Sequence, residues 1–196
     1  MDQLLDTTTN KDSFIIPPYA RDVRLLLLTF LSYRCYSMPL FKDQFQKLSF
    51  SEIWNAKPDD VGKRYFAREI FNCVLGYFLV KEHTFPVKLA ALYALYYLYE
   101  TQPGTNDQKT KIPLTPHVFH ELFLLREGIK KNKIYDAFHC LNRLSLLKAY
   151  LYTMHTNIDT IISCIDPPVD LVPNITKMDQ VMKDKWTWEK FSSVLR

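Results

Sequence analysis

Apolar residues recur at intervals of three and four over much of this chain, the spacing that places side chains on one face of an α-helix. The pattern predicts helices over residues 21–36, 60–80, 115–131 and 134–148, with a short helix after Ser49. The apolar stripes of the last three long helices are Phe66, Ile70, Cys73, Val74, Tyr77 and Val80; Val118, Leu122, Leu125 and Ile129; and Ile134, Phe138, Leu141 and Leu144.

Capping residues mark where several of these helices begin. Ser49 and Glu52 have the spacing of a capping box, in which each side chain bonds a backbone amide of the other. Asp59 or Asp60 is placed to cap the helix that follows. Thr115, directly before a proline, is expected to cap the helix over 115–131.

The segment from Phe85 to Thr101, FPVKLAALYALYYLYET, has no charged residue between Leu89 and Tyr99. A helix that is apolar on every side is buried on every side, so we expect this one at the centre of the fold. Its tyrosine hydroxyls need hydrogen-bond partners, which a polar rim or another chain can supply. We assign Tyr97 and Tyr99 to partner binding on this ground.

Strand signals are weak. Apolar and polar residues alternate loosely over Tyr150–Met154, and we expect this segment to be extended. Residues 102–113 are predicted to form a polar loop. The predicted fold class is therefore all-α, with about seven helices packed around the buried tyrosine-rich helix. The predicted organisation is an irregular N-terminal segment over 1–20, a helical core domain over 21–165, and a linker with a C-terminal docking helix over 166–196.

Composition narrows the functional classes. The chain has 196 residues, 47% of them apolar, which is enough for a substantial core. Four glycines stand against eleven prolines, which disfavours glycine-rich phosphate loops. The four cysteines are widely spaced, so we expect reduced thiols. The N-terminus lacks a basic region and the apolar runs are short, so we expect a soluble, intracellular chain.

Catalytic and metal-binding patterns are weak. His117, His120, His139 and Cys140 match no zinc-ligand spacing, and ordinary partly buried histidines explain them better. No GxSxG elbow occurs. We therefore predict no catalytic residue, no metal and no cofactor, and not an enzyme.

Basic residues concentrate between residues 126 and 148. Six basic residues stand there against two acidic ones, a net charge of +4 that equals the net charge of the whole chain. The segment could contact DNA phosphates or an acidic partner. It could also be a solvated helix end, because lysines suit the negative C-terminus of a helix. The candidate patch consists of Lys130, Lys131, Lys133, Arg143 and Lys148.

Aromatic residues near the C-terminus suggest a second contact surface. Trp186, Trp188 and Phe191 lie on a predicted amphipathic helix, and tryptophan is enriched among residues that dominate binding energy. Docking of this helix on the chain's own core is an equal alternative. We assign the three residues to partner binding.

The tyrosine-rich helix resembles a known family. The runs Tyr77–Leu79 and His83–Gln102 are similar to the signature of subunit 1 of the small nuclear RNA-activating protein complex. The resemblance extends over about residues 40–156. Supporting matches are Phe50–Trp54, Asp136–Phe138, Leu141–Leu144, Lys148–Tyr150 and Thr153–Met154.

This resemblance implies a nuclear, non-catalytic subunit of a promoter-recognition complex. Such a complex binds the proximal sequence element of small nuclear RNA genes and serves RNA polymerases II and III. The implied partners are the subunit 3-like and Myb-repeat subunit 4-like proteins, the TATA-binding protein, and promoter DNA through the complex. The alternative is a cytoplasmic helical adaptor that binds peptides or lipid.

Overall fold

A computed structural model describes residues 17–33, 35–80 and 83–154. No helix in these three ranges is both long and apolar enough to cross a membrane. The elements are α1 (Pro18–Ser32), α2 (Met38–Lys47), a 3-10 helix (Phe50–Ala56), α3 (Lys63–Leu79), α4 (Phe85–Thr101), β1 (Ile112–Leu114), α5 (Pro116–Lys131), α6 (Tyr135–Leu146) and β2 (Tyr150–Tyr152).

Helix α4 forms the centre of the fold, as its charge-free sequence predicts. It contacts α1, α2, α3, α5 and α6, and every residue from Leu89 to Leu95 is buried. Burial is incomplete at Tyr96 and Tyr97, which are half-buried. The described part of the chain therefore shares one hydrophobic core, built around α4.

The N-terminal helices differ from the prediction. Helix α1 begins at Pro18, inside the segment expected to be irregular, and ends at Ser32. Helix α2 is additional to the predicted helices. Pro39 lies in the first turn of α2, where its missing N–H costs nothing. The Ser37 hydroxyl caps α2 by accepting a hydrogen bond from the Leu40 amide at 3.4 Å.

Both predicted caps upstream of α3 are wrong. Ser49 has a positive φ of 49° and makes no side-chain capping bond, so the expected capping box with Glu52 is not formed. The element that follows is a short 3-10 helix. Gly62, rather than Asp59 or Asp60, stands at the N-terminus of α3.

Two short strands lie outside the helical prediction. Strand β1 pairs with β2 in parallel, with Ile112 opposite Tyr150 and Leu114 opposite Tyr152. The extended conformation expected at Tyr150 is confirmed, whereas the loop predicted over residues 102–113 includes Ile112 and Pro113, which lie in β1. Because β1 and β2 flank α5 and α6, their pairing fixes both ends of that helix pair.

The fold class is mostly all-α, as predicted. The described residues contain six α-helices and one 3-10 helix, beside a two-stranded sheet. The set of seven differs from the prediction, because α2 is additional and the expected C-terminal helix lies outside the described residues.

Candidate interaction surfaces

The helix pair α5 and α6 positions most of the candidate residues. The Thr115 hydroxyl accepts a hydrogen bond from the Val118 amide at 3.4 Å and caps α5, as predicted. The buried stripe of α5 is the predicted one. Lys133 adopts a positive φ of 54° between the two helices, and the chain reverses there. The opposite faces of both helices are left open to solvent.

The five predicted basic residues do not share one environment. Lys130 Nζ lies 3.0 Å from Glu127 Oε1, and Arg143 Nε lies 3.4 Å from Glu100 Oε1. Both pairs are largely exposed, so each contributes little to stability. Lys131, Lys133 and Lys148 are exposed and form no ion pair with any described residue.

The basic residues also separate in space. Lys133 precedes α6 and Lys148 follows it, and α6 is 12 residues long. Twelve helical residues rise about 18 Å, so Lys148 lies far from the lysines of the α5–α6 turn. The structure therefore groups Lys130, Lys131 and Lys133 at one end of α6, and places Lys148 at the other.

Of the two tyrosines assigned to partner binding, Tyr99 is buried. It has no exposed surface, and its hydroxyl finds no hydrogen-bond partner among the described residues. Tyr99 is therefore a core residue, because α4 is enclosed at this position. Tyr97 is half-buried, with its ring 5.9 Å from that of Phe41 and 5.4 Å from that of Phe45. Burial raises the pKa of Tyr97 to about 12.

An exposed apolar surface on α5 and β2 was missed by the sequence analysis. Of the twelve large apolar side chains exposed in the described ranges, six lie on α5 or between Leu151 and Met154. The Phe119 ring meets the Tyr152 ring edge to face, with centroids 6.1 Å apart. We call this surface the α5–β2 face and define it by Phe119, Phe123 and Tyr152.

One sequence signal could have revealed the α5–β2 face. Helix α5 carries Phe119, Phe123 and Leu124 in addition to its buried stripe, so its apolar residues cover more than one face. A helix needs only one apolar stripe to pack on a core. The surplus indicates a second contact.

The histidines and cysteines do not come together. No group of three or more metal-ligating side chains occurs within the described ranges. His117, His120 and His139 are exposed, whereas Cys140 is buried beside Met38, with its sulfur 3.8 Å from the Met38 sulfur. Burial raises the pKa of the Cys140 thiol to about 12, so the thiol stays protonated.

The predicted C-terminal contact residues cannot be placed on any of these surfaces. Trp186, Trp188 and Phe191 lie outside the described residues. Their assignment to partner binding stays a prediction.

Comparisons with known proteins identify similar chains. The model of the family described as "Small nuclear RNA activating complex (SNAPc), subunit 1" matches residues 19–164. The chain is 28% identical over 139 residues to the snRNA-activating protein complex subunit 1 of Mus musculus. It is 26% identical over 137 residues to the proteins of the same name from Macaca fascicularis and Homo sapiens.

These alignments cover a larger share of this chain than of its relatives. They include 70% of this chain, but only 35% of the Mus musculus protein and 36% of the other two. The chain thus spans about a third of the length of the curated relatives it matches.

Proposed function

The chain belongs to the family of subunit 1 of the small nuclear RNA activating complex, and we propose that it is a non-catalytic subunit that holds other subunits of such a complex together. The family match carries this proposal. It runs from α1 past the end of β2 and so includes the whole helical core built around α4. The α5–β2 face supports an assembly role, because aromatic side chains are enriched where proteins bind one another.

The proposed partners are a subunit 3-like protein, a Myb-repeat subunit 4-like protein and the TATA-binding protein. The proposed place of action is the nucleus, at the proximal sequence element of small nuclear RNA genes that RNA polymerases II and III transcribe. The names of the relatives support membership of an snRNA-activating complex.

Lys130, Lys131 and Lys133 are proposed to contact promoter DNA through its phosphates. They are exposed at the α5–α6 turn, and two of them have no ion pair with a described residue. Phosphate contacts position a protein on DNA without specifying sequence. Base recognition would therefore belong mostly to the partner subunits.

Co-expression tests the assembly role. The full chain is produced with tagged subunit 3-like and subunit 4-like proteins of its own organism, purified through the tag and passed over a sizing column. We expect the three chains to elute together in constant proportion. Elution of this chain apart from both partners on the sizing column would reject the proposed function. Its absence from the material purified through the partners' tags would reject it as well.

A further inference from the structure

One row of exposed side chains on α5 is apolar near the N-terminus of the helix and basic near its C-terminus. Phe119, Phe123, Arg126 and Lys130 are spaced by four, three and four residues, so they line up along the helix. All four are exposed, with Phe119 at 49% and Phe123 at 48%. The row is therefore apolar over the first turns of α5 and basic over the last turns.

A second row, about 100° further round α5, mixes polar, apolar, acidic and basic residues. His120, Leu124, Glu127 and Lys131 have the same spacing, and Leu124 is half-exposed. Tyr152 of β2 extends the apolar end, because its ring touches that of Phe119. The first row and Tyr152 form a strip with an apolar end at the N-terminus of α5 and a basic end at its C-terminus.

The charged end of the strip carries a net positive charge. Arg126 and Lys130 belong to this end and Lys131 lies beside it, three positive charges against the one negative charge of Glu127. Only Lys130 uses that carboxylate, in an exposed pair at 3.0 Å. Arg126 and Lys131 have no ion pair with a described residue. This end is therefore suited to acidic side chains.

We propose that the α5–β2 face binds an amphipathic helix of another subunit, which runs antiparallel to α5 and carries Asp or Glu in its first turn. This inference rests on the proposed function, because it requires a partner subunit. The partner's apolar side would cover Phe119, Phe123 and Tyr152. Its acidic first turn would lie beside Arg126.

Electrostatics selects the antiparallel direction. The N-terminus of a helix carries partial positive charge, so acidic residues are stabilising in the first turn. In the antiparallel arrangement that turn lies at the C-terminal end of α5, where the basic side chains are. The same acidic residues then stabilise their own helix and pair with Arg126. A parallel partner would bring its C-terminus, with its partial negative charge, to the C-terminal end of α5. Acidic residues there would not stabilise the partner's own helix.

The length of α5 sets the length of the partner helix. Helix α5 has 16 residues, which rise about 24 Å in total. A partner that covers both ends of the strip therefore needs roughly four helical turns. Such a helix laid in an apolar groove is a recurrent mode of recognition.

Photo-crosslinking within the assembled complex tests the proposal. Phe123 is replaced by a photoreactive phenylalanine analogue in the full chain, which is co-purified with its partner subunits, irradiated and digested for mass spectrometry. We expect cross-links to an amphipathic helical segment of a partner with acidic residues in its first turn. Cross-links within this chain, residues 155–196 included, would overturn the proposal, and so would a complex that forms without any cross-link from this position.

Charge exchange adds a second measurement. Arg126→Glu is expected to weaken co-purification at least tenfold, and changing the acidic residue in the first turn of the cross-linked helix to Lys is expected to restore it. Lys42→Glu, an exposed lysine on α2, is the matched control and should leave assembly unchanged. Equal loss with both variants would overturn the proposed charge pairing. If the wild-type chain forms no complex at all, the proposed function fails as well.

Discussion

The hydroxyl of Tyr93 in α4 donates a hydrogen bond to the carbonyl oxygen of Tyr36, 3.3 Å away, between α1 and α2. Both residues are buried, and 57 positions separate them in the chain. The bond therefore joins the central helix to the N-terminal helices at a place without access to water. Phe30 packs beside it, with its ring 6.1 Å from each tyrosine ring.

Replacing Tyr93 by Phe should lower the free energy of unfolding by about 1 to 2 kcal/mol. The substitution keeps the ring but removes the buried hydrogen bond to the Tyr36 carbonyl, and the loss of a buried hydrogen bond carries about that cost. Urea denaturation of the purified chain measures the effect. Tyr96→Phe is the control, because Tyr96 is half-buried and should lose less than 0.5 kcal/mol, roughly the limit for substitutions away from such features. Equal losses in the two variants would contradict a role for the hydrogen bond.

Two residues with similar sequence signals should respond differently to alanine. Thr115→Ala removes the hydroxyl that caps α5 and should cost about 1 kcal/mol. Ser49→Ala removes a hydroxyl that caps nothing and should cost less than about 0.5 kcal/mol. Thermal and urea denaturation of both variants check this difference. A larger loss for Ser49→Ala would show that the capping box forms in solution after all.

Stability should fall at alkaline pH because of Cys140. Its pKa is raised by burial from the ordinary 9.0 to about 12, so the folded chain keeps a proton that the unfolded chain releases. The stabilisation is fully present below pH 9 and is lost as the pH rises toward 12. At pH 10 the loss amounts to about 1.4 kcal/mol.

Cys140→Ala should remove this part of the pH dependence. The variant should be less stable than wild type at pH 7, where it loses buried contacts, and the gap should narrow by about 1.4 kcal/mol at pH 10. Ile129→Val serves as the control, because it removes buried contacts but no titratable group, so its gap should stay constant. Denaturation midpoints of wild type and both variants, measured from pH 7 to pH 10, give the size of each gap. A gap of constant size for Cys140→Ala would count against a protonated thiol in the folded chain.

The proposed phosphate contact predicts a change in salt dependence. In the assembled complex, Lys131→Glu with Lys133→Glu should weaken promoter binding and reduce the slope of log K against log salt by about 0.9 for each lost contact. Assembly followed by gel-shift titration across several salt concentrations measures both effects. Lys148→Glu should leave the slope unchanged, because α6 separates Lys148 from the turn. An equal decrease for Lys148→Glu would contradict the assignment of the contact to this turn.

Local pattern was enough to predict most helices and several of their details. Helix α4 was placed between the observed boundaries, because a charge-free run flanked by Pro86 and a polar loop reports its burial directly. The Thr115 cap was also predicted from neighbouring residues alone. Such features depend on interactions within one or two helical turns, which a short stretch of sequence contains.

Features that depend on backbone conformation were harder to predict. Ser49 has the residue type of a cap but a positive φ, and Pro39 begins a helix rather than preventing one. In both cases the residue type permits more than one conformation. Packing of the surrounding elements selects between these conformations, so the neighbouring residues in the sequence do not predict which one forms.

The sequence by itself determined the helical class, the central position of α4 and the buried stripes of α5, since each follows from side-chain periodicity. Only the tertiary structure decided that Tyr99 is enclosed, that Lys133 and Lys148 lie at opposite ends of α6, and that Phe119 reaches Tyr152. The physical reason is the separation along the chain of the residues that interact. Periodicity reports which face of a helix avoids water, whereas a surface is made where distant segments meet, as Ile112 does with Tyr150.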